Sequence, residues 1–158
     1  MNPYAAPGTR PHSAEEDIAA ATPPVIARIA GGLVALAGMV VALTGVQTLA
    51  MVTIRGPLAL VPYVLALLGA IEIAAGTLVF RARGWGAIGA VGTSFVNVLA
   101  SGFWLLVSMG HGLLSLYALA SPCVSLVGGI MAVVAMGPCE RASAARRRLR
   151  EQGMDLGI

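Results

Sequence analysis

One carboxylate lies inside an otherwise apolar stretch of the sequence. The segment LLGAIEIAAGTLVF, residues 67–80, contains Glu72 and no other charged residue, and Arg81, Arg83 and Trp85 follow it closely. A carboxylate within an apolar segment of this kind is a candidate proton- or cation-binding group. The favoured explanation is a neutral acid that joins two helices through a hydrogen bond worth about 1 kcal/mol. Both hypotheses depend on the elements that surround Glu72.

Glu72 is not part of a recognisable catalytic or metal-binding pattern. The chain has two cysteines and two histidines, and their positions lack the spacing of metal ligands. Cys123 and Cys139 lie sixteen residues apart, on or just beyond the last predicted helix, too far to form a disulfide with each other. His111 stands alone in a predicted turn. We therefore predict no catalytic, cofactor or metal site, and a protein that is not an enzyme.

The composition is typical of an integral membrane protein. Of the 158 residues, 58% are hydrophobic and 11% are charged, and the mean hydropathy is +0.86. The apolar residues form four segments, each longer than the roughly 20 residues that a helix needs to cross the hydrocarbon core. None of them shows the alternating polarity of a barrel strand. We predict an all-α fold, a four-helix transmembrane up-down-up-down bundle over residues 25–136, with spans near 25–51, 57–80, 84–109 and 113–136.

The arginines predict the orientation of these spans. All ten basic residues are arginine, and nine of them fall on one side if the amino terminus is cytoplasmic, which leaves only Arg55 outside. Arg81, Arg83 and Trp85 then anchor the inner turn of the bundle. The arginine, alanine and glycine usage is typical of a GC-rich bacterial genome. We therefore expect a multi-pass protein of the bacterial inner membrane with both termini cytoplasmic, and with aromatic anchors at the outer boundary: Tyr63, Trp104 and Tyr117.

The two ends of the chain differ in composition from the spans. Residues 1–24 are rich in Pro, Ala and charge without apolar periodicity, so we predict a disordered cytoplasmic tail. Residues 137–158 contain five arginines spread around the axis of any helix they form, which predicts a basic cytoplasmic tail. Its arginines either fix the orientation of the last span or also contact anionic lipid. No aromatic or fold pattern indicates nucleic-acid binding.

Small residues recur at heptad spacing in the first two spans. Gly31, Gly38 and Gly45 are seven residues apart, so they lie on nearly one helix face. Small residues allow close backbone approach, which is a main source of helix association in lipid. We predict that these faces pack within the chain rather than form a dedicated dimer interface. The matching set in the second span is Pro62, Gly69 and Gly76.

The distance of Glu72 from the predicted turns, counted in residues, predicts that it lies deep in the membrane, at the level of candidate hydroxyl partners. Arg28 lies about 12 Å nearer the inner end, so an ion pair is not expected. We predict a protonated Glu72 that donates a hydrogen bond to Thr93, Ser94, Ser125 or a backbone carbonyl, or that binds an ion there. Three further polar residues lie nearer the outer half, where they either line a path or pack: Thr44, Gln47 and Asn97.

The segment LLGAIEIAAGTLVFRARGWGAIGAV resembles a hairpin common in small bacterial multi-span proteins. In that hairpin an apolar run with a small-residue face ends in L-x-x-R-x-R-x-W and re-enters the membrane through glycine and alanine. The resemblance implies a four-span bundle without an established activity. The positions that match are Gly69, Gly76, Leu78, Arg81, Arg83 and Trp85.

Two functions are consistent with these observations. The first is a membrane protein that acts through helix packing, as a partner or stabilising subunit of another membrane protein or of itself. The alternative is an oligomeric proton- or cation-coupled small transporter with Glu72 at its binding site. A transporter needs Glu72 to exchange with water, whereas a packing protein needs only its hydrogen bond.

Overall fold

The computed structural model describes residues 14–51, 57–110 and 116–154, and these form an all-α four-helix bundle with one short additional helix. The fold class is therefore the predicted one. The four bundle helices are long and apolar enough to cross a membrane. The predicted turn at 53–57, except Pro57, lies outside the described residues, as do Arg55 and His111. The helices are α1 (Ala14–Ala21), α2 (Val25–Met51), α3 (Val61–Phe80, after a 3-10 turn at Pro57–Leu60), α4 (Gly84–Gly110) and α5 (Leu116–Glu151).

The bundle helices pack in the cyclic order α2, α3, α4, α5, and each runs antiparallel to its chain neighbour. The α3–α4 seam is the least extensive of the four. The end at which α2 and α4 begin and α3 and α5 end is called here the arginine-rich end. Its described arginines are Arg28, Arg81, Arg83, Arg141, Arg146, Arg147, Arg148 and Arg150.

Both predicted tails contain helical structure. Residues 14–21 form α1, so the prediction of disorder over 1–24 was wrong for this part, and residues 1–13 lie outside the described range. The fourth span does not give way to a separate tail after residue 136, because α5 continues unbroken to Glu151. The physical reason is burial: Ala21 of α1 packs against Ala145 and Leu149 of α5. This apolar contact orders two segments whose composition is that of solvated chain.

Glycines bring the backbones of α2 and α3 into direct contact, as the heptad spacing predicted. A Cβ atom on Gly38 would lie 2.6 Å from the carbonyl oxygen of Gly69, and one on Gly69 would lie 2.5 Å from that of Gly38. Such distances leave no room for a side chain, so the small residues are used within the chain. The facing pairs are Gly31 with Gly76, Gly38 with Gly69 and Gly45 with Pro62.

Trp104 does not lie at the surface of the bundle. It was predicted as an interfacial anchor, yet it is only 3% exposed and packs with Val41, Leu65 and Ala118. Its position on the inward face of α4 outweighs the preference of tryptophan for an interface. The other aromatic anchors are exposed, as expected of such residues: Tyr63, Trp85 and Tyr117.

Candidate functional site

Glu72 lies in the middle of α3 with no exposed surface. One side of it faces α2, because a Cβ atom on Gly38 would lie 3.0 Å from the Cβ of Glu72. The neighbouring glycines of α3, Gly69 and Gly76, bring α2 close enough to close that side. The carboxyl group therefore can extend only toward α4 and α5.

Both of those helices supply hydrogen-bond donors to the carboxyl group. The hydroxyl of Ser94 donates to Oε1 of Glu72 at 2.6 Å. The side-chain amide of Asn97 donates to Oε2, and the hydroxyl of Ser125 donates to the same oxygen at 3.4 Å. Ser94, Asn97 and Ser125 are themselves buried. These four residues, named here the Glu72 cluster, lie where all four bundle helices meet.

Two of the three partners are residues that the sequence had suggested as candidates. Ser94 and Ser125 were predicted, and the structure places both on Glu72. Thr93 was also predicted, but its hydroxyl donates to the carbonyl oxygen of Ala90 in its own helix, at 3.1 Å. One residue corresponds to about 100° of rotation around a helix, so Thr93 and Ser94 cannot both face Glu72. Counting from the turns does not resolve that difference.

Asn97 was missed as a partner because its predicted position was nearer the outer half. A usable pattern was present, since residues three apart on a helix share a face and Asn97 is three residues from Ser94. The direction of the hydrogen bonds also differs from the prediction. Glu72 was expected to donate to a hydroxyl, whereas in the structure the hydroxyls and the amide donate to Glu72.

A face of polar side chains continues along α4 beyond the Glu72 cluster. Ser101 and Ser108 lie four and eleven residues after Asn97, and both are buried. The hydroxyl of Ser101 donates to the backbone carbonyl of Asn97 at 2.5 Å. Two buried atoms on this face have no protein partner within the described residues: Oδ1 of Asn97 and Oγ of Ser108. Asn97, Ser101 and Ser108 together are called here the α4 polar face.

A second buried polar contact joins α2 to α5. The hydroxyls of Thr44 and Ser121 are 2.7 Å apart, and either can be the donor. Ser121 also donates to the carbonyl oxygen of Tyr117, one turn earlier in α5. Because Ser121 precedes Ser125 by one turn, this contact lies one layer farther from the arginine-rich end than the Glu72 cluster.

The α3–α4 turn holds the three predicted topology anchors, Arg81, Arg83 and Trp85, all of them exposed. Between the two arginines, Ala82 is fully buried and has a φ of 51°, a conformation that usually favours glycine. Ser143 of α5 stabilises this turn, since its hydroxyl donates to the carbonyl oxygen of Ala82 at 3.2 Å and accepts the backbone N–H of Gly84 at 2.9 Å. The α3–α4 turn is therefore fastened to α5.

Arg146 connects three elements at the arginine-rich end. Its Nε donates to the carbonyl oxygen of Ala21 at 2.9 Å, and its Nη1 donates to that of Arg81, also at 2.9 Å. These carbonyls belong to the last residue of α1 and the residue that ends α3, where backbone acceptors lack partners in their own helix. Arg148 adds an ion pair to the buried Asp17 of α1, with 3.6 Å between Nη1 and Oδ1. Arg146 and Arg148, two arginines of the predicted basic tail, thus stabilise the fold.

The described residues contain no group of three or more His, Cys, Asp or Glu side chains that could hold a metal ion. Fold and site together define an all-α bundle with a buried polar cluster, compatible with a multi-pass membrane protein. No family model matches this sequence, and no curated protein and no solved structure matches it.

Proposed function

We propose that this chain is a small, non-enzymatic integral membrane protein that acts through helix packing, as a partner or stabilising subunit of another membrane protein or of a second copy of itself. The observation that supports this function is the use of Glu72. Its two carboxyl oxygens accept hydrogen bonds from α4 and α5, and the residue has no exposed surface. A carboxyl group that joins helices through hydrogen bonds contributes to the cohesion and specificity of the bundle.

The same proposal places the protein in the bacterial inner membrane, with both termini on the cytoplasmic side. The grouping of the described arginines at one end of the bundle supports this orientation, because cytoplasmic segments are enriched in arginine. The side chains of Arg81, Arg83 and Arg141 are exposed at that end of the bundle. They would contact anionic lipid headgroups, each at about 1 kcal/mol.

A proton- or cation-coupled transporter that works as an oligomer is the second candidate. It is favoured by one observation, the α4 polar face, because Oδ1 of Asn97 and Oγ of Ser108 are buried without a protein partner. Polar atoms of this kind commonly bind water or an ion. A single bundle of this size is too small to enclose a wide pore, so transport would require several copies.

The two functions are separated by two measurements on the full-length protein. Proteoliposomes with the wild type, Glu72→Gln or the control Thr93→Ala are tested for proton and sodium flux, and crosslinking in native membranes tests for a complex. The packing function predicts no flux above empty liposomes and a stoichiometric complex in the membrane. Flux that Glu72→Gln abolishes while the variant stays folded would establish the transporter instead. A chain that remains a monomer in native membranes would contradict the packing function.

A further inference from the structure

The interior of the bundle differs on the two sides of Glu72. Toward the arginine-rich end the core is apolar and built mostly from alanine and valine. Among the described residues of α2 to α5, no fully buried polar residue lies between the Glu72 cluster and that end. An apolar lining of this kind disfavours the entry of water and ions into this half of the core. Representative core residues there are Ala30, Val34, Val79, Ala87, Ala132 and Ala135.

The opposite half contains buried polar side chains from three helices. Ser101 and Ser108 belong to α4, Thr44 to α2 and Ser121 to α5. From Asn97 to Ser108 the α4 polar face advances about 16 Å along the helix axis, away from the arginine-rich end. Ser108 lies two residues before α4 ends at Gly110. Buried polar groups thus extend from Glu72 toward the far end of the bundle, with a gap of about two helical turns between Ser101 and Ser108.

The unpartnered atoms lie on this line. Oδ1 of Asn97 belongs to a side chain with no exposed surface whose amide already contacts Glu72, and Oγ of Ser108 is buried near the far end. A buried polar atom without a partner costs about 1–3 kcal/mol, and ordered water is its usual partner inside proteins. Water therefore has acceptor sites at both ends of the α4 polar face.

Trp104 interrupts this line. It lies between Ser101 and Ser108 on the same face of α4 and is 3% exposed. With Val41 and Leu65 it forms an apolar cluster across the interior of this half. A continuous chain of water from the far end to Asn97 must therefore pass the indole ring.

Among the described residues, no positively charged side chain contacts the carboxyl group of Glu72. The elements packed against it present uncharged groups: Gly38 from α2, Ser94 and Asn97 from α4, and Ser125 from α5. A buried carboxylate without a cation is expensive in a low-dielectric interior. A proton is the smallest cation that can neutralise it. The hydrogen bond from Ser94 to the carboxyl group, at 2.6 Å, has the usual length of an O–H···O hydrogen bond.

We propose that Glu72 is a proton-binding site with access from one side only, namely from the end opposite the arginines along the α4 polar face, and that Trp104 limits the rate of exchange. In the binding step a hydronium ion at the far end transfers its proton, through water and the side chains of this face, to the Glu72 carboxylate and leaves a water molecule. Release follows the same path in reverse. The inference goes beyond the packing function and does not depend on it, because one-sided protonation requires no transport across the membrane.

The test uses the full-length protein in liposomes that are sorted by an accessible N-terminal tag into two populations of opposite orientation. The external pH is changed rapidly between about 5 and about 9, a range on both sides of neutrality that includes most perturbed carboxyl groups. The carboxyl band of Glu72 is followed by infrared difference spectroscopy, with Glu72→Gln as the subtraction control. We expect the band to change at least several-fold faster in vesicles whose arginine-rich end faces inward, because only in these vesicles does the changed external solution meet the far end of the α4 polar face. Equal rates in the two populations, faster exchange from the arginine-rich end, or a carboxyl group that never titrates would each overturn the proposal.

Trp104 provides a second, independent test. Trp104→Ala should accelerate exchange several-fold from the far side only, whereas the matched control Phe103→Ala, which removes a lipid-facing ring from the next position, should leave the rate unchanged. Circular dichroism establishes that each variant is folded.

Ser101→Val replaces a hydroxyl of the α4 polar face by apolar surface without creating a cavity, and it should slow exchange even if Trp104→Ala does not fold. Rates that are the same in Ser101→Val and the wild type would contradict the assigned path. Failure of this proposal and failure of the packing function are distinguishable, because the infrared experiment measures proton exchange at Glu72 and the flux assay measures net transport.

Discussion

The backbones of α2 and α3 touch at Gly38 and Gly69, where a Cβ atom added to Gly38 would lie 2.6 Å from the carbonyl oxygen of Gly69. Glu72 lies one turn from Gly69, and its Cβ is 3.0 Å from the same added atom. The glycine contact therefore does two things at once, since it joins the helices and closes the α2 side of the Glu72 cluster.

Replacing Gly38 by alanine should destabilise the bundle. The new methyl group would collide with backbone atoms of Gly69 and Ile73, which cannot rotate away, and overpacking of this kind costs about 1–3 kcal/mol. Gly32 is the matched control, because a Cβ atom there meets nothing within 4 Å. The free energy of unfolding in mixed micelles should fall for Gly38→Ala and stay equal or rise for Gly32→Ala, since alanine favours helix by about 1 kcal/mol. Equal effects of the two substitutions would show that the close contact is absent in the membrane.

Ser94→Ala should weaken the Glu72 cluster, whereas Thr93→Ala should have little effect. Ser94 donates to Glu72 at 2.6 Å, whereas the hydroxyl of Thr93 is occupied by the carbonyl of its own helix. Loss of one interhelical hydrogen bond in a membrane bundle costs about 0.6–2 kcal/mol. Unfolding measurements on the two variants at the same pH give the comparison. A larger loss for Thr93→Ala would mean that α4 is rotated relative to the structure.

The hydroxyls of Thr44 and Ser121 should show a measurable coupling. They are 2.7 Å apart and belong to helices that are not neighbours in sequence. In a double-mutant cycle of Thr44→Val and Ser121→Ala, we expect a coupling energy of about 0.5–1.5 kcal/mol. The double variant should therefore be more stable than the sum of the single losses implies. If the losses of unfolding free energy are additive, the two hydroxyls do not bond to each other.

Arg146→Ala should release α1 from the end of α5. The substitution removes the donors to the carbonyls of Ala21 and Arg81, whereas the neighbouring Arg147 is exposed and serves as the control. Hydrogen exchange of the amides of residues 14–21 should become at least several-fold faster in Arg146→Ala, because hydrogen bonds to a charged donor contribute about 1.5–3 kcal/mol. In Arg147→Ala the exchange should be unchanged. If the amides of α1 remain protected in Arg146→Ala, the apolar contact of Ala21 with Ala145 and Leu149 is sufficient to hold α1 on α5.

The features that could be predicted from the sequence are those that follow from helix periodicity and apolar length. Heptad-spaced glycines at Gly31, Gly38 and Gly45 determine a face by arithmetic alone, and that face is the one that contacts α3. The positions of α2 and α4 likewise follow closely from the lengths of the apolar segments. Both inferences tolerate an error of one or two residues in the helix ends.

The details of the Glu72 cluster do not tolerate such an error. A shift of one residue rotates a side chain by about 100°, and this decides between Thr93 and Ser94. Trp104 was misplaced because its residue type favours an interface while its position on α4 faces inward, and only packing resolves that conflict. The helix α1 depends on contacts with Leu149, more than a hundred residues away in sequence, which no local pattern can report.

The connectivity of the Glu72 cluster has a consequence for the order of events during biosynthesis. Glu72 belongs to the first hairpin, α2 and α3, whereas every donor to its carboxyl group belongs to the second, α4 and α5. Because the ribosome completes the first hairpin earlier, the carboxyl group on α3 lacks its hydrogen-bond donors until α4 and α5 have been synthesised, and only α2 covers it during this time. In the membrane location proposed above, release of that hairpin into lipid on its own is penalised, and this delay favours integration of all four helices as a single unit.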